Sequence, residues 1–395
     1  MKKPLIVQKF GGTSVGSIER IQIVAEHVIR EKRAGNQVVV VVSAMAGETN
    51  RLMALAKQIN SVPTARELDV LLSSGEQVSI ALLAMMLNTL GYSASSLTGA
   101  QAGIMTDHQY NTAAIKHIDT TAIKELLEQD RIVVVAGFQG INSDGDITTL
   151  GRGGSDTTAV ALAGALDANE CQIFTDVDGI YTCDPRIVKQ AEKIEVIDFP
   201  SMEEMASKGA KVLHLPSVQF AWKHQVPLRV LSTFDINAGS LVKGEQCTKS
   251  ICGLAIQKEW VMLSLNIEQV PSLLMQCQML GIEVYQMNPS EQDTCVVIHH
   301  DGYTKLAQVA AHVCEQYELV SLLTIIGYQA HKVCDSAQQL LREQGITVHQ
   351  YCYSERSLML VMLPECVDKA ANILHDAYIT SGEELEFQQK QAFSR

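Results

Sequence analysis

The chain has 395 residues, 47% of them apolar and 19% charged, with a net charge of −13. At roughly 150 residues per domain this is enough for two or three ordinary hydrophobic cores, which excludes a disordered, fibrous or staple-dependent chain. The acidic balance argues against a nucleic-acid coat or an anionic membrane surface, and no apolar run reaches the ~18 residues that predict a transmembrane helix.

The apolar run Leu5–Val7 is cut by Gln8 and Lys9, so a signal peptide is not expected. The ten cysteines show no C-x-x-C and no Cys/His pair at zinc spacing, and they read as reduced core thiols of a cytoplasmic protein. Eight of them lie from Cys247 onward, and the net charge is −4 over residues 1–249 but −9 over 250–395. That shift predicts a boundary near residues 234–250.

In chain order, Leu5–Phe10 reads as a short strand ended by Gly11-Gly12. Apolar residues at 18, 21, 24, 25, 28 and 29 predict a helix over Ile18–Ala34, with Gly35 as its C-cap. Gln37–Met45 contains five consecutive valines and predicts a strand buried on both faces. Ala65–Leu90 is expected to be helical, interrupted at Gly75 and closed by Gly91. Then come a weaker strand at Ser93–Leu97, a helix at Ala113–Glu128, a strand at Arg131–Ala136, a helix of small residues at Ser155–Leu166, and strands at Gln172–Asp176 and Leu228–Leu231. This alternation implies a mainly parallel sheet with helices on both faces, whose chemistry sits in loops at the C-terminal strand ends.

The remainder has a different rhythm. Ser264–Ile267 is expected as a strand, Ser272–Leu280 as a helix stopped by Gly281, Glu283–Met287 and Cys295–His299 as strands, and Tyr303–Gln316 as a helix. The order recurs in Leu322–Ile326, Val333–Gln344 stopped by Gly345, Thr347–Tyr351, Leu358–Met362 and Val367–Ala377. This is a ferredoxin-like βαββαβ unit seen twice, followed by a polar tail.

Three glycine loops carry the chemistry. Lys9-Phe10-Gly11-Gly12-Thr13-Ser14 joins a strand to a helix, and backbone N–H groups at a helix start beside a lysine make a phosphate cradle. It fits neither the Walker A nor the dinucleotide fingerprint. The plainer alternative is a strand–turn–helix with a solvated lysine. Gly151-Arg152-Gly153-Gly154-Ser155-Asp156-Thr157-Thr158 also opens a helix. Its arginine offers a fork for a carboxylate or phosphate, and Asp156 could orient a lysine or a metal ion. Alternatively Ser155 or Asp156 is only an N-cap, although three glycines and an arginine in one turn argue against that. The third loop, Thr175 to Arg186, follows a buried strand, and its Tyr181 and Arg186 could hold a purine ring and a phosphate; the alternative is an ordinary acidic turn. Lys211 is a further cation in Gly209-Ala210-Lys211-Val212. Glu76 is an acid inside an apolar helical stretch and, taken alone, reads as a solvated helix residue.

Together these loops resemble the aspartate kinases of the amino-acid kinase superfamily. KFGGTS at 9–14, VVSAM at 41–45, SSGE at 73–76, VVAGFQG at 134–140, LGRGGSDTTA at 150–159, TDVDGIYTCDPR at 175–186 and GAKVLH at 209–214 occur in the family's order. The match covers roughly residues 5–233, and the C-terminal pair is similar to the two ACT domains of the short, single-function form. The resemblance implies an amino-acid kinase catalytic domain over 1–233, a linker over 234–250, a first ACT unit over 251–322, a second over 323–381, and a tail over 382–395. A strand near 253–257 is expected to belong to the second unit, because the family inserts the first unit within it.

The activity implied is ATP-dependent phosphorylation of the side-chain carboxylate of L-aspartate, the entry to lysine, threonine and methionine synthesis. By motif, Lys9 neutralises the transferring phosphoryl group and Gly11, Gly12, Thr13 and Ser14 line its path. Arg152 grips the aspartate α-carboxylate and Glu76 the amino group, with Ser43, Gly153, Gly154 and Ser155 near the substrate. Thr175, Asp176, Tyr181 and Arg186 hold the nucleotide, Asp156 orients the catalytic lysines, and Lys211 supplies a second positive charge. Mg²⁺ is expected to enter with ATP, with no metal ligand assigned to the chain. A homodimer or dimer of dimers through the ACT units is expected, with an amino-acid effector possible there.

Two departures from the family stand out. Leu215-Pro216-Ser217 replaces the usual Pro-Arg after GAKVLH. The Pro-Gly helix starts of the ACT units read Val270-Pro271-Ser272 and His331-Lys332-Val333-Cys334-Asp335, where Val333 is expected to crowd a ligand and weaken effector coupling. The competing readings are another amino-acid kinase, against which Arg152, Glu76 and the ACT pair argue, and a non-catalytic regulatory paralogue, against which Lys9, Asp156 and Arg152 argue.

Overall fold

Val38–Val42 are fully buried, as a run of β-branched residues with no polar face requires, and the strand they form lies inside an eight-stranded sheet. The computed structural model describes residues 3–210, 212–235, 237–245, 250–287, 293–309 and 317–381. Lys211, residues 246–249 of the expected linker, residues 310–316 of the expected helix and the tail 382–395 lie outside the described residues.

The elements up to residue 245 are β1 Leu5–Phe10, α1 Ile18–Arg33, β2 Gln37–Val42, α2 Glu48–Ile59, α3 Ala65–Thr89, β3 Ala94–Leu97, β4 Ile104–Thr106, β5 Ile115–Ile118, α4 Thr121–Glu128, β6 Ile132–Ala136, β7 Gln139–Ile141, β8 Ile147–Thr149, α5 Gly154–Ala165, β9 Glu170–Thr175, β10 Ile180–Tyr181, β11 Lys193–Ile194, β12 Val196–Ile197, α6 Phe199–Ser207, α7 Leu215–Lys223, β13 Leu228–Ser232 and β14 Ser240–Val242. The large sheet runs β12-β14-β13-β9-β1-β2-β6-β3. Its pairs from β13 to β3 are all parallel, and β13–β14 is antiparallel. The core on one side gathers Phe10, Val24, Val28, Val40, Leu83, Leu87 and Phe174. A small four-stranded sheet, β5-β4-β7-β8, lies apart from it.

Ser17 caps α1 by accepting the Arg20 N–H at 3.3 Å, and Arg30, Lys32 and Arg33 in the last turn oppose the helix dipole. α3 departs from expectation, since it runs unbroken through Gly75. That glycine marks a close approach instead, because a Cβ there would stand 2.8 Å from the Ala44 Cβ. By length and composition α3 is apolar enough to cross a membrane, yet half of its apolar window is buried in the protein, with Leu72, Leu83 and Leu87 inside. The helix expected over Ala113–Glu128 is a strand, β5, followed by the shorter α4. Asp119 divides the two by accepting the Thr121 N–H at 3.0 Å. α2 carries no strong sequence signal and was not expected.

The chain forms two compact units, Met1–Ile180 with Ile194–Phe199 and Val212–Glu245, and Tyr181–Lys193 with Pro200–Lys211 and Gln246–Arg395. In the second unit the further elements are β15 Gly253–Asn266, α8 Val270–Met279, β16 Val284–Gln286, β17 Asp293–His299, α9 His300–Val309, β18 Tyr317–Ile326, α10 Cys334–Glu343, β19 Gln350–Tyr353, β20 Ser357–Met362 and α11 Val367–His375. They form one antiparallel sheet in the order β16-β17-β15-β18-β20-β19.

β15 is a single long strand where two separate ones were expected. Its start, Gly253–Gln257, pairs with Leu322–Ile326, and after a register shift Trp260–Leu263 pairs with Tyr317–Val320. The divide expected between residues 322 and 323 falls inside β18. Val333 does not crowd an open helix start; it is buried in the apolar cluster of Leu341, Leu358, Leu360 and Leu374. The same cluster takes in Cys183 and Val188, and Thr182 meets the buried His375 ring at 2.8 Å while its carbonyl accepts the Leu254 N–H at 2.7 Å.

Candidate active site

Parallel β1 and β2 end side by side, so the residues that follow them, Gly11-Gly12 and Ser43 to Gly47, form one rim of a cleft at the carboxyl edge of the sheet. The Ala46 N–H donates to the Gly12 carbonyl at 3.1 Å and holds the two loops together. The opposite rim is Gly151 to Asp156, where the chain enters α5, and Thr49 from α2, Glu76 from α3 and Phe138 complete the lining. The cavity holds about 380 Å³. Gly153 has φ 72°, and a Cβ there would run into the His214 ring, so no other residue suits the turn that presents Arg152.

Lys9, near the end of β1, is only 9% exposed. Its Nζ lies 2.7 Å from Oδ1 of Asp156, an acid placed in the first turn of α5 where the helix dipole also favours it. Glu76 is 3% exposed. Its Oε1 accepts the Ala44 N–H at 3.0 Å, and Oε2 has no hydrogen-bond partner among the described residues. Burial pushes the Glu76 carboxyl up to about 7, an effect that the Ala44 N–H only partly offsets. Arg152, across the cleft lining, is exposed and makes no ion pair or hydrogen bond among the described residues. An unsatisfied buried carboxyl and an uncommitted guanidinium in one cavity suit a small zwitterion, and the Lys9–Asp156 pair beside them supplies a positive charge for an anion in transfer.

Lys9, Gly11, Gly12, Ser43, Glu76, Arg152, Gly153, Gly154, Ser155 and Asp156 all line this one cleft. Thr13 and Ser14 do not. Ser14 is buried with its hydroxyl 2.6 Å from that of Thr233, and the Thr13 carbonyl accepts from Arg20 at 2.7 Å, so both tie the loop down. Thr175 and Asp176 stand at the end of β9, joined by a 3.0 Å hydrogen bond, and are not part of the lining. Tyr181 and Arg186 belong to the second unit, where Arg186 pairs with Asp184 at 2.7 Å. Lys211 lies outside the described residues. Sequence reasoning assigned no role to Phe138, which has φ 69° and follows an all-apolar strand and Gly137. The Ala44 to Gly47 backbone was missed because main-chain groups leave no side-chain signature.

A profile described as "Amino acid kinase family" matches residues 4–232. Over 399 residues the chain is 43% identical to "Aspartate kinase" of Pseudomonas putida, covering 95% of this chain and 97% of that protein. It is 43% identical over 394 residues to "Aspartokinase" of Geobacillus stearothermophilus, with the same coverage of 95% and 97%. Among solved structures it resembles E. coli aspartokinase III in complex with aspartate and ADP, with TM-score 0.77 and 26% identity over 94% of this chain and 99% of that one. The same enzyme in complex with lysine and aspartate gives TM-score 0.79 at 26% identity over 95% and 99%.

Proposed function

The chain belongs to the amino acid kinase family, among its aspartate kinases, and from that premise we propose how its cleft carries out the reaction. The enzyme transfers the γ-phosphoryl group of ATP to the side-chain carboxylate of L-aspartate, giving 4-phospho-L-aspartate and ADP. A carboxylate oxygen attacks the γ-phosphorus, the bond from phosphorus to the ADP oxygen breaks, and ADP leaves. No general base is needed, because the attacking carboxylate is already ionised at neutral pH. The work is positioning and charge neutralisation.

In this reading Arg152 takes the aspartate α-carboxylate, Glu76 takes its ammonium, and Ser43, Ser155 and the start of α5 border the substrate. Lys9, held by Asp156, meets the transferring phosphoryl group, and Gly11 and Gly12 flank its path. The observation that carries the assignment is that Arg152 and Glu76, opposite in charge and with the Glu76 Oε2 unpartnered among the described residues, line the same cavity as the Lys9–Asp156 pair. Thr175, Asp176, Tyr181, Arg186 and Lys211 are proposed for the nucleotide, and Mg²⁺ is proposed to arrive on it. The proposal extends to a cytoplasmic enzyme at the entry to lysine, threonine and methionine synthesis. It also includes an amino-acid effector in the C-terminal unit, a reading supported by the likeness to E. coli aspartokinase III in complex with lysine and aspartate in its T-state. Assembly as a homodimer or a dimer of dimers is supported by β16 and β19, the open edges of the six-stranded sheet, which a second copy would close.

With Mg-ATP and L-aspartate, hydroxylamine is expected to trap aspartyl hydroxamate as ADP accumulates; absence of both products would overturn the reading. The Glu76 carboxyl adds a pH signature. It must be ionised to take an ammonium group, and its value of about 7 puts that change near neutrality. kcat/KM for aspartate is therefore expected to rise about tenfold per pH unit below 7 and to level off above it. Glu76→Gln is expected to lower the plateau and erase the inflection. A wild-type profile flat from pH 5.5 to 8.5 would remove Glu76 from substrate binding.

A further inference from the structure

Asp69 is a charge that the reaction as described does not use. It lies in the second turn of α3, two turns before Glu76 on the same face, and is 0% exposed. Among the described residues it has no paired cation. Its carboxylate is saturated by donors from two other segments instead. The Asn111 N–H reaches both oxygens, at 3.1 and 3.0 Å, and Thr149 gives its N–H at 3.0 Å and its hydroxyl at 2.6 Å. A buried carboxylate is tolerable only when its lone pairs are so occupied, and charge-assisted bonds of this kind are the strong ones.

Thr149 is the last residue of β8, and what it anchors is the approach to Arg152. On its other side the Thr149 carbonyl accepts the Ala113 N–H at 2.9 Å, and the Leu150 N–H donates to the Phe138 carbonyl at 2.9 Å. The paired strand β7 is fixed to the same helix, since Gln139 Nε2 donates to the Ser73 carbonyl at 2.9 Å. The β7–β8 hairpin is thus fastened to α3 at two points, and the chain is held as far as Leu150. Arg152 comes two residues later and has no hydrogen bond or ion pair of its own among the described residues to place it. Glu76 rides on α3 itself. The separation of these two groups therefore depends on how firmly α3 holds the end of β8.

We propose that Asp69 is a positioning residue for aspartate recognition, its carboxylate locking the end of β8 to α3 and so setting the span between Arg152 and Glu76 that the amino acid must bridge. This rests on the reading of Arg152 and Glu76 as the aspartate-binding pair. An asparagine at 69 keeps the volume but turns an NH₂ group toward N–H and O–H donors, so at least one of the four bonds is lost and the loop loosens.

The test is steady-state kinetics of Asp69→Asn, Thr149→Val and Arg152→Ala on the full chain, with thermal melts. Asp69→Asn is expected to raise KM for aspartate about tenfold or more, with KM for ATP and kcat each changed by less than about threefold. Thr149→Val, which removes only the hydroxyl bond, is expected to raise KM for aspartate about three- to fivefold with a melt that is lowered but still cooperative, and it decides the matter if Asp69→Asn does not fold. Equal loss toward both substrates, or a fall in kcat alone, would make Asp69 a general structural residue and overturn the proposal. If Arg152→Ala raises KM for aspartate while neither other variant does, the positioning role is wrong and the binding pair stands. If Arg152→Ala leaves KM for aspartate unmoved, the underlying site reading fails, and the proposal with it.

Discussion

Replacing Lys9 with alanine is expected to lower kcat by about 10²–10³-fold while KM for ATP changes by less than about fivefold. The reason is the timing of charge. Phosphoryl transfer moves negative charge across the γ-phosphorus between two anions that repel, and a cation fixed beside that path counts for most at the transition state. Lys9 meets the requirement structurally. It is fixed near the end of a central parallel strand, it is almost wholly withdrawn from water, and Asp156 holds its ammonium at 2.7 Å. Removing it also strips Asp156 of its counter-ion and leaves a carboxylate facing the incoming polyphosphate, which adds to the loss. Rapid-quench measurement of the transfer step checks this directly. A variant altered only in KM for ATP would show that Lys9 holds the nucleotide and does not assist the transfer.

Arg152→Ala is expected to reduce kcat/KM for aspartate by about 30- to 1000-fold, equivalent to ~2–4 kcal/mol, the range for losing a paired, charge-assisted contact to a carboxylate. Because Arg152 has no partner of its own among the described residues, the melting temperature is expected to stay where it is, and the loss is expected in KM. A substrate comparison sharpens the result. The α-amide of aspartate keeps the reacting carboxylate but lacks the α-carboxylate. It should be a poor substrate for the unaltered enzyme and suffer little further from Arg152→Ala. If the amide and aspartate lose equally, Arg152 serves some other part of the substrate.

Much of the catalytic half was legible because its strands and loops obey local rules. The valine run, the amphipathic spacing of residues 18–29 and the glycines before α5 each admit essentially one structure. Gly75 misled because a glycine in a helix signals either a break or a close neighbour, and only the packing of Ala44 tells which. Ile115–Ile118 misled because a four-residue strand of the pattern I-K-H-I fits helical spacing equally well when a helix follows directly. The cleft lining was readable where glycine and charge coincide, as at Lys9 and Arg152. It was unreadable at Asp69, whose sequence surroundings are those of any surface acid near a helix start and whose three donors arrive from residues 111 and 149. In the C-terminal half, the merging of two expected strands into β15 depends on pairing with β18, a long-range fact that periodicity does not contain.

Cutting the chain after Glu245 would not release a self-sufficient kinase. Tyr181–Lys193 and Pro200–Lys211 are part of the second compact unit although they precede most of it in the chain. Cys183 and Val188 have their apolar neighbours in Leu254, Val367 and Ala370, the Thr182 hydroxyl faces His375, and the Ile187 carbonyl accepts from Asn372 at 3.1 Å. A truncated fragment would carry this stretch with its neighbours deleted, leaving an apolar strip and orphaned polar groups within the loop proposed to hold the nucleotide. The two halves are therefore interleaved along the chain and cannot be exchanged as modules. A chimera that keeps this catalytic half but borrows a foreign C-terminal half would need matching replacements at 181–193 and 200–211, and recombination at a single crossover would give a chain that fits neither parent.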